Sequence, residues 1–129
     1  MKVIRHLTIT ATFNSILIAV CLGSLVGCNW SIAHSASSET KRGAIAFKSY
    51  GCGACHYISG NNSAIGIVGP SLVDMSKRVY IGRGLPNTPQ NMVRWIRMPQ
   101  QFAPGSAMPD LHVTLADAQD ISAYLYSLK

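Results

Sequence analysis

Apolar positions along this chain recur mostly at helical spacing. The strongest pattern lies near its end, where Ala118, Ile121, Leu125 and Leu128, with Tyr124 alongside, fall on one helical face. Thr114-Leu115-Ala116-Asp117 opens that helix like a capping box, a hydroxyl and a carboxylate three positions apart. A second helix is predicted from Gln90 to about Met98, with Thr88 as its cap, Pro89 at the first position and Pro99 ending it. Met92, Trp95 and Ile96 share one face of it. A further helix begins near Glu39 or Thr40 and runs through Tyr50, with Gly43 and Phe47 one turn apart, until Gly51 stops or bends it. A short helix is expected from Ser71 to about Tyr80. Three polar loops connect these elements. The first, from Ser59 to Gly69, has Ile65, Ile67 and Val68 as its apolar contacts. The second is a turn rich in Gly and Pro around Gly82, Gly84, Pro86 and Pro89, and the third runs from Gln101 to His112. Strand-like alternation is scarce and no repeat is visible, so the expected class is all-α, with four or five short helices in one domain.

The first residues carry a different pattern. Lys2, Arg5 and His6 precede an apolar run through Ile16-Leu17-Ile18-Ala19-Val20-Cys21-Leu22 to Val26, the layout of a secretory signal. Leu25-Val26-Gly27-Cys28 resembles the lipobox of bacterial lipoproteins, whose cysteine becomes the acylated first residue of the mature chain. Residues 1–27 are therefore read as a lipoprotein signal peptide, Cys28 as the lipid attachment site, 28–38 as a linker and 39–129 as the folded domain. Each buried acyl methylene contributes about 0.8 kcal/mol, so several chains on Cys28 would hold the domain at a membrane surface. The expected location is the periplasmic side of a bacterial membrane. An ordinary cut near Ala33-His34-Ser35-Ala36, or a retained helix, are the alternatives.

The chain has 129 residues with a formal charge of +6, but Lys2 and Arg5 fall in the signal, so the exported part is only moderately basic. Its basic residues do not interleave with aromatics as a single-strand nucleic-acid binder requires, and no nucleic acid is expected. They suit an acidic protein partner, or a generic solvated surface.

Candidate chemistry centres on Cys52-Gly53-Ala54-Cys55-His56. Cys-x-x-Cys-His is the attachment run of a c-type haem. Thiols three positions apart on one helical turn face the same way and can bond one edge of a macrocycle. The histidine that follows offers an imidazole to the iron. Gly53 and Ala54 are small, which is expected to let the porphyrin edge approach the backbone. Zinc would require a second ligand pair, and beyond the motif only His112 stands alone. A thioredoxin-like dithiol would want alternating strands and helices, which the pattern lacks. With Cys21 in the signal and Cys28 acylated, no pair remains for a structural disulfide. One covalent haem c would serve as the staple of this small domain.

Opposite His56 the candidates for the sixth ligand are Met75, Met92, Met98, Met108 and His112. Met92 lies on an apolar helix face, and Met75 follows the proximal histidine too soon to be placed easily across the ring. Met108 is favoured, because Pro104 and Pro109 stiffen its loop and hold a ligand at little entropic cost. Met98, His112 and an open position remain as alternatives. A thioether there favours reduced iron and electron transfer. An open site would suit a peroxidase-like enzyme or a gas-binding sensor.

From about Lys41 to Lys129 the chain resembles the class I c-type cytochromes. The resemblance is carried by Cys52-Gly53-Ala54-Cys55-His56, Gly69-Pro70-Ser71-Leu72, Pro104-Gly105-Ser106-Ala107-Met108-Pro109 and Ala123-Tyr124-Leu125, in that order. It implies the cytochrome c fold around one covalent haem, with His56 and Met108 as axial ligands and the Pro70 carbonyl accepting from the His56 ring. It further implies Gly43 and Phe47 packed on Tyr124 and Leu125, Trp95 beside the Met108 side, and Ser106 holding the Met108 loop. Tyr80 and Arg83 would lie in the region that serves the propionates. The stretch from Leu85 to Met108 also looks like cytochrome domains associated with bacterial haem–copper oxidases, including those attached to oxidase subunit II. No copper-binding domain or pair of spanning helices is read here. The implied role is therefore a monomeric electron carrier or accessory subunit, delivering electrons to a terminal oxidase or exchanging them with a dehydrogenase, with no acid–base catalyst.

Overall fold

The computed structural model describes residues 36–128. The expected signal segment, Cys28 and the linker up to residue 35 lie outside the described residues. Helix α1 spans residues 36–49, so residues 36–38, expected to close the linker, already form its first turn. No Gly or Pro stands there to oppose helix. Thr40 Oγ1 donates to Ala36 O at 2.9 Å, and Arg42 to Ser38 Oγ at 3.3 Å. Gly51, at φ 69°, ends the helix as expected, its N–H donating to Lys48 O at 3.0 Å. A 3-10 turn over Cys52–Ala54 follows at once.

Helix α2 covers Pro89–Arg97, and the Thr88 hydroxyl accepts from Asn91 N at 3.2 Å, a cap that contributes about 1 kcal/mol. Pro99 does more than end it. It opens a short helix α3, Pro99–Phe102, inside what the polar pattern suggested was loop. Helix α4, Leu115–Ser127, buries Ala118, Ile121 and Leu125 against α2, as its periodicity predicts. Thr114 Oγ1 accepts from Asp117 N at 3.1 Å and donates to its Oδ2 at 2.7 Å. The Tyr50 hydroxyl donates to the same oxygen at 2.8 Å, so the end of α1 is tied to the start of α4. Together the Thr114 and Tyr50 hydroxyls hold the Asp117 carboxyl below the ordinary carboxylate range.

The crossing of α1 and α4 depends on Gly43. A Cβ there would stand 1.9 Å from Asp120 O and 2.8 Å from Tyr124 Cβ. One turn on, Phe47 meets the Tyr124 ring edge-on at 5.7 Å between centroids. Arg42 donates to both carboxylate oxygens of Asp120, at 2.7 and 2.8 Å, across the same crossing.

Two further expectations are corrected. No helix forms from Ser71 to Tyr80. The segment holds one 3-10 turn, Met75–Lys77, entered through Asp74 at φ 54°. Its carbonyls are satisfied by side chains. The Arg78 guanidinium donates to Ser71 O and Val73 O, and the Asn87 amide donates to Met75 O and Arg78 O, both at 2.8 Å. Asn87 is held in turn by the Tyr126 hydroxyl. Next comes a two-stranded antiparallel hairpin, β1 (Tyr80–Ile81) and β2 (Leu85–Pro86), pairing Tyr80 with Pro86 and Ile81 with Leu85.

The second correction concerns the loop before Gly69. Ile65 and Ile67 are 71% and 91% exposed, Val68 faces the cavity described below, and the buried residues that anchor this loop are Ile58 and Ala64. The reason is backbone proximity. Gly66 N donates to Gly53 O at 3.1 Å, and a Cβ on Gly53 would meet Ser63 O at 1.9 Å. Loop and cysteine turn lie backbone on backbone, so only a methyl group fits beneath. Among the described residues, no helix is long and apolar enough to cross a membrane.

Candidate functional site

The αL glycine at 51 turns the chain sharply out of α1, so the following 3-10 turn presents both thiols to one side. Cys55 N and His56 N both donate to Cys52 O, at 3.3 and 3.1 Å, which fixes their spacing. Both cysteines are half-buried, and they form no disulfide with each other. Burial pushes the Cys52 thiol above its ordinary pKa, with the neighbouring Cys55 adding to the shift. Gly53 has another role than the one expected of it and Ala54. Neither lines the cavity described below, and Gly53 is small because Ser63 O occupies the space its side chain would need.

His56 Nδ1 lies 2.7 Å from Pro70 O. A carbonyl only accepts, so Nδ1 carries the proton and Nε2 is left with its lone pair free for a metal. Gly69 packs flat against the imidazole, where a Cβ would stand 2.4 Å from Cε1 and 2.7 Å from Nδ1. That glycine is itself pinned, its N–H donating to Cys55 O at 2.8 Å. Ring orientation is therefore set from one edge by a hydrogen bond and from one face by contact.

These groups open onto a cavity of about 680 Å³, within the range of pockets that take a cofactor-sized ligand. Cys52, Cys55, His56, Pro70, Tyr80, Arg83, Trp95 and Met108, all singled out from the sequence, line it together. Phe47, Leu72, Ile81, Ile96, Ile121 and Leu125 make most of the remaining wall apolar. Of the other sixth-ligand candidates, Met75 and Met92 line the cavity and are buried. Met98 and His112 do not line it. His112 is exposed, at φ 52°, with Nδ1 3.6 Å from Asp110 Oδ1. Trp95 is pressed into the wall by Gly82, whose Cβ would stand 2.5 Å from the indole ring.

Two residues were not singled out from the sequence. Arg78 lines the cavity while its guanidinium braces the segment after Ser71. In the sequence it is one of a Lys-Arg pair and reads as surface. Gln100 binds the loop that carries Met108 through its side-chain amide. A glutamine after Pro99 gives no warning of this, because its partners are set by the turn of α3.

Among the described residues, no three His, Cys, Asp or Glu gather where they could hold a metal ion. The zinc reading therefore gains no second ligand pair. The donor set fits a covalent tetrapyrrole better. Two thiols flank one edge of an apolar slot, and an imidazole with a free Nε2 stands beside them.

A family model described as Cytochrome c matches residues 40–129. The chain is also similar to cytochrome c oxidase subunit 2 of Alkalihalophilus pseudofirmus (strain ATCC BAA-2126 / JCM 17055 / OF4), at 29% identity over 104 residues. That alignment takes in 80% of this chain and 30% of the relative, so the chain spans less than a third of that protein's length. No solved structure matches it. The family implies a covalently bound haem c and electron transfer. A family match over so much of the chain, together with a mainly helical fold closed around the thiol and imidazole groups, makes this protein a member of the cytochrome c family, of the class I c-type.

Proposed function

We propose that this chain is a membrane-anchored carrier of single electrons that holds one haem c and serves a respiratory terminal oxidase or a similar redox partner. What carries the reading is the meeting of Cys52, Cys55, His56 and Met108 on the wall of one apolar cavity, with the His56 tautomer fixed by Pro70. Cys52 and Cys55 would hold the group through thioethers, and His56 Nε2 and the Met108 sulfur would be its axial ligands. When bound, haem c supplies a reversible one-electron change at iron. The protein's part would be to hold the iron through His56 and Met108 and to exclude water with Phe47, Leu72, Ile81 and Leu125. Tyr80 and Arg83, exposed at the cavity wall, would meet the polar propionate edge. No residue acts as an acid or base on a substrate.

The oxidase partner is supported by the similarity to a protein named cytochrome c oxidase subunit 2. The anchor is supported by the lipobox-like Leu25-Val26-Gly27-Cys28 after an apolar run. With residues 1–27 removed and the linker short, the domain would sit close to the periplasmic face of its membrane.

Two measurements test this reading. The purified ferric protein is expected to show one haem per chain with the long-wavelength methionine–iron absorption, and the ferrous form to bind no carbon monoxide. Ready uptake of carbon monoxide would instead mean an open sixth position and a peroxidase-like or gas-sensing role. Cys28→Ser is expected to move the protein from the membrane fraction to the soluble fraction. A variant that stays membrane-bound would show that an uncleaved helix is the anchor.

A further inference from the structure

We infer that Gln100 is the positioning residue for the Met108 ligand, its side-chain amide fastening both ends of the ligand loop to α3. The inference rests on the reading of Met108 as an axial ligand and names what holds it in place. Gln100 Nε2 donates to Met108 O at 2.7 Å, to Ser106 O at 3.0 Å and to Ser106 Oγ at 3.2 Å. Gln100 Oε1 accepts from Gly105 N at 3.0 Å. Only one amide orientation satisfies this set. A flipped amide would aim its oxygen at two carbonyls and its NH₂ at an N–H group.

This loop needs such a fastening. Pro104 and Gly105 are exposed, and Ala107 and Pro109 face the cavity instead of packing into the protein core, so core burial of its own side chains does not hold it. The two prolines stiffen it but donate no backbone hydrogen bond. Gly105 takes φ 75°, and its N–H finds its partner in the Gln100 side chain. A methionine side chain has three rotatable bonds, so the direction of its sulfur is only as well defined as the backbone that bears it. Fixing the Met108 carbonyl fixes the root of that side chain. Ser106, expected to hold the loop, does so as one of the acceptors of Gln100. Its N–H adds a bond to Ala103 O at 3.1 Å. A carboxylate or a lysine at position 100 would supply acceptors alone or donors alone, and the clamp uses both.

The test uses the full-length, haem-loaded protein and exogenous imidazole as a competing ligand, read by loss of the long-wavelength methionine–iron band. Gln100→Ala and Gln100→Glu are each expected to bind imidazole about tenfold more tightly than wild type. Glu keeps an acceptor for Gly105 N but loses every donor to Met108 O and Ser106. Asn61→Ala serves as control, because it removes a bond to the Tyr124 hydroxyl from the loop on the His56 side and lowers stability without touching the clamp. It is expected to leave the imidazole affinity unchanged. Affinities within twofold of wild type in both Gln100 variants would overturn the inference, as would an equal gain in Asn61→Ala at matched loss of stability. A wild-type protein lacking the band would overturn the ligand reading and this inference with it. A wild type that has the band beside unaltered Gln100 variants overturns the clamp alone.

Discussion

Met108→Ala is expected to abolish the long-wavelength band of the ferric protein, open the sixth position and let the ferrous form bind carbon monoxide. The midpoint potential should fall by more than about 60 mV, a tenfold change in the one-electron equilibrium. The direction follows from ligand chemistry, because a thioether favours ferrous iron and its loss removes that preference. Alanine keeps the loop intact, since Gln100 binds the backbone at Met108 and leaves the side chain free. Covalent attachment through Cys52 and Cys55 should also be unaffected, so the variant should be purified as a coloured protein. Spectroscopy with carbon monoxide titration is the measurement. If the band persists, the ligand is another sulfur of the cavity wall, and Met75→Leu and Met92→Leu would identify it, both being buried there.

Gly43→Ala should be among the most damaging single-methyl changes in the described residues. Its Cβ would lie 1.9 Å from the Asp120 carbonyl oxygen, which is backbone and cannot rotate away. The helices must move apart instead. That weakens the edge-on contact of Phe47 with Tyr124 and pulls Arg42 from Asp120. Overpacking of this kind costs roughly 1–3 kcal/mol. With the lost ring contact the total is expected at about 3 kcal/mol, against a usual stability of about 5–15 kcal/mol for a whole domain. A melting temperature lower by roughly 12–24 °C corresponds to that loss in a domain of this size. Thermal unfolding of the haem-loaded variant, followed by circular dichroism, checks it. The methionine–iron band at low temperature should be retained, because none of the contacts strained at the crossing involves the residues that bind the ligand loop. A shift of less than about 3 °C would mean that the two helices have slack at this point.

Much of the site could be read from the residues alone because its parts are short and local. The cysteines and histidine lie within five positions, and their chemistry needs only that spacing. The stiff loop with Met108, the helix starts at Thr88 and Thr114 and the stop at Gly51 are likewise matters of neighbouring residues. Some departures are local, as where residues 36–38 join α1 and Pro99 opens α3, but the larger ones depend on groups farther along the chain. The Ser71 segment is not helical because Arg78 and Asn87 satisfy its carbonyls, and Asn87 is placed by Tyr126, 39 positions on. Gly53 was read as making room for a cofactor, whereas it makes room for Ser63 O. Apolar residues at 65, 67 and 68 suggest apolar contacts for this loop, but the backbone contact beneath it leaves Ile65 and Ile67 exposed, and of the three only Val68 reaches the cavity wall.

By itself the amino-acid order determined the helical class, the covalent cofactor chemistry and the favoured candidate for the sixth ligand. Each of these follows from periodicity or from spacing along a few bonds. Only the tertiary structure decided which sulfurs share the cavity with His56, which nitrogen of that ring is free, and that Gln100 grips the Met108 loop. Those features depend on distances through space between segments that the chain order leaves far apart, and packing alone brings them within a hydrogen bond of each other.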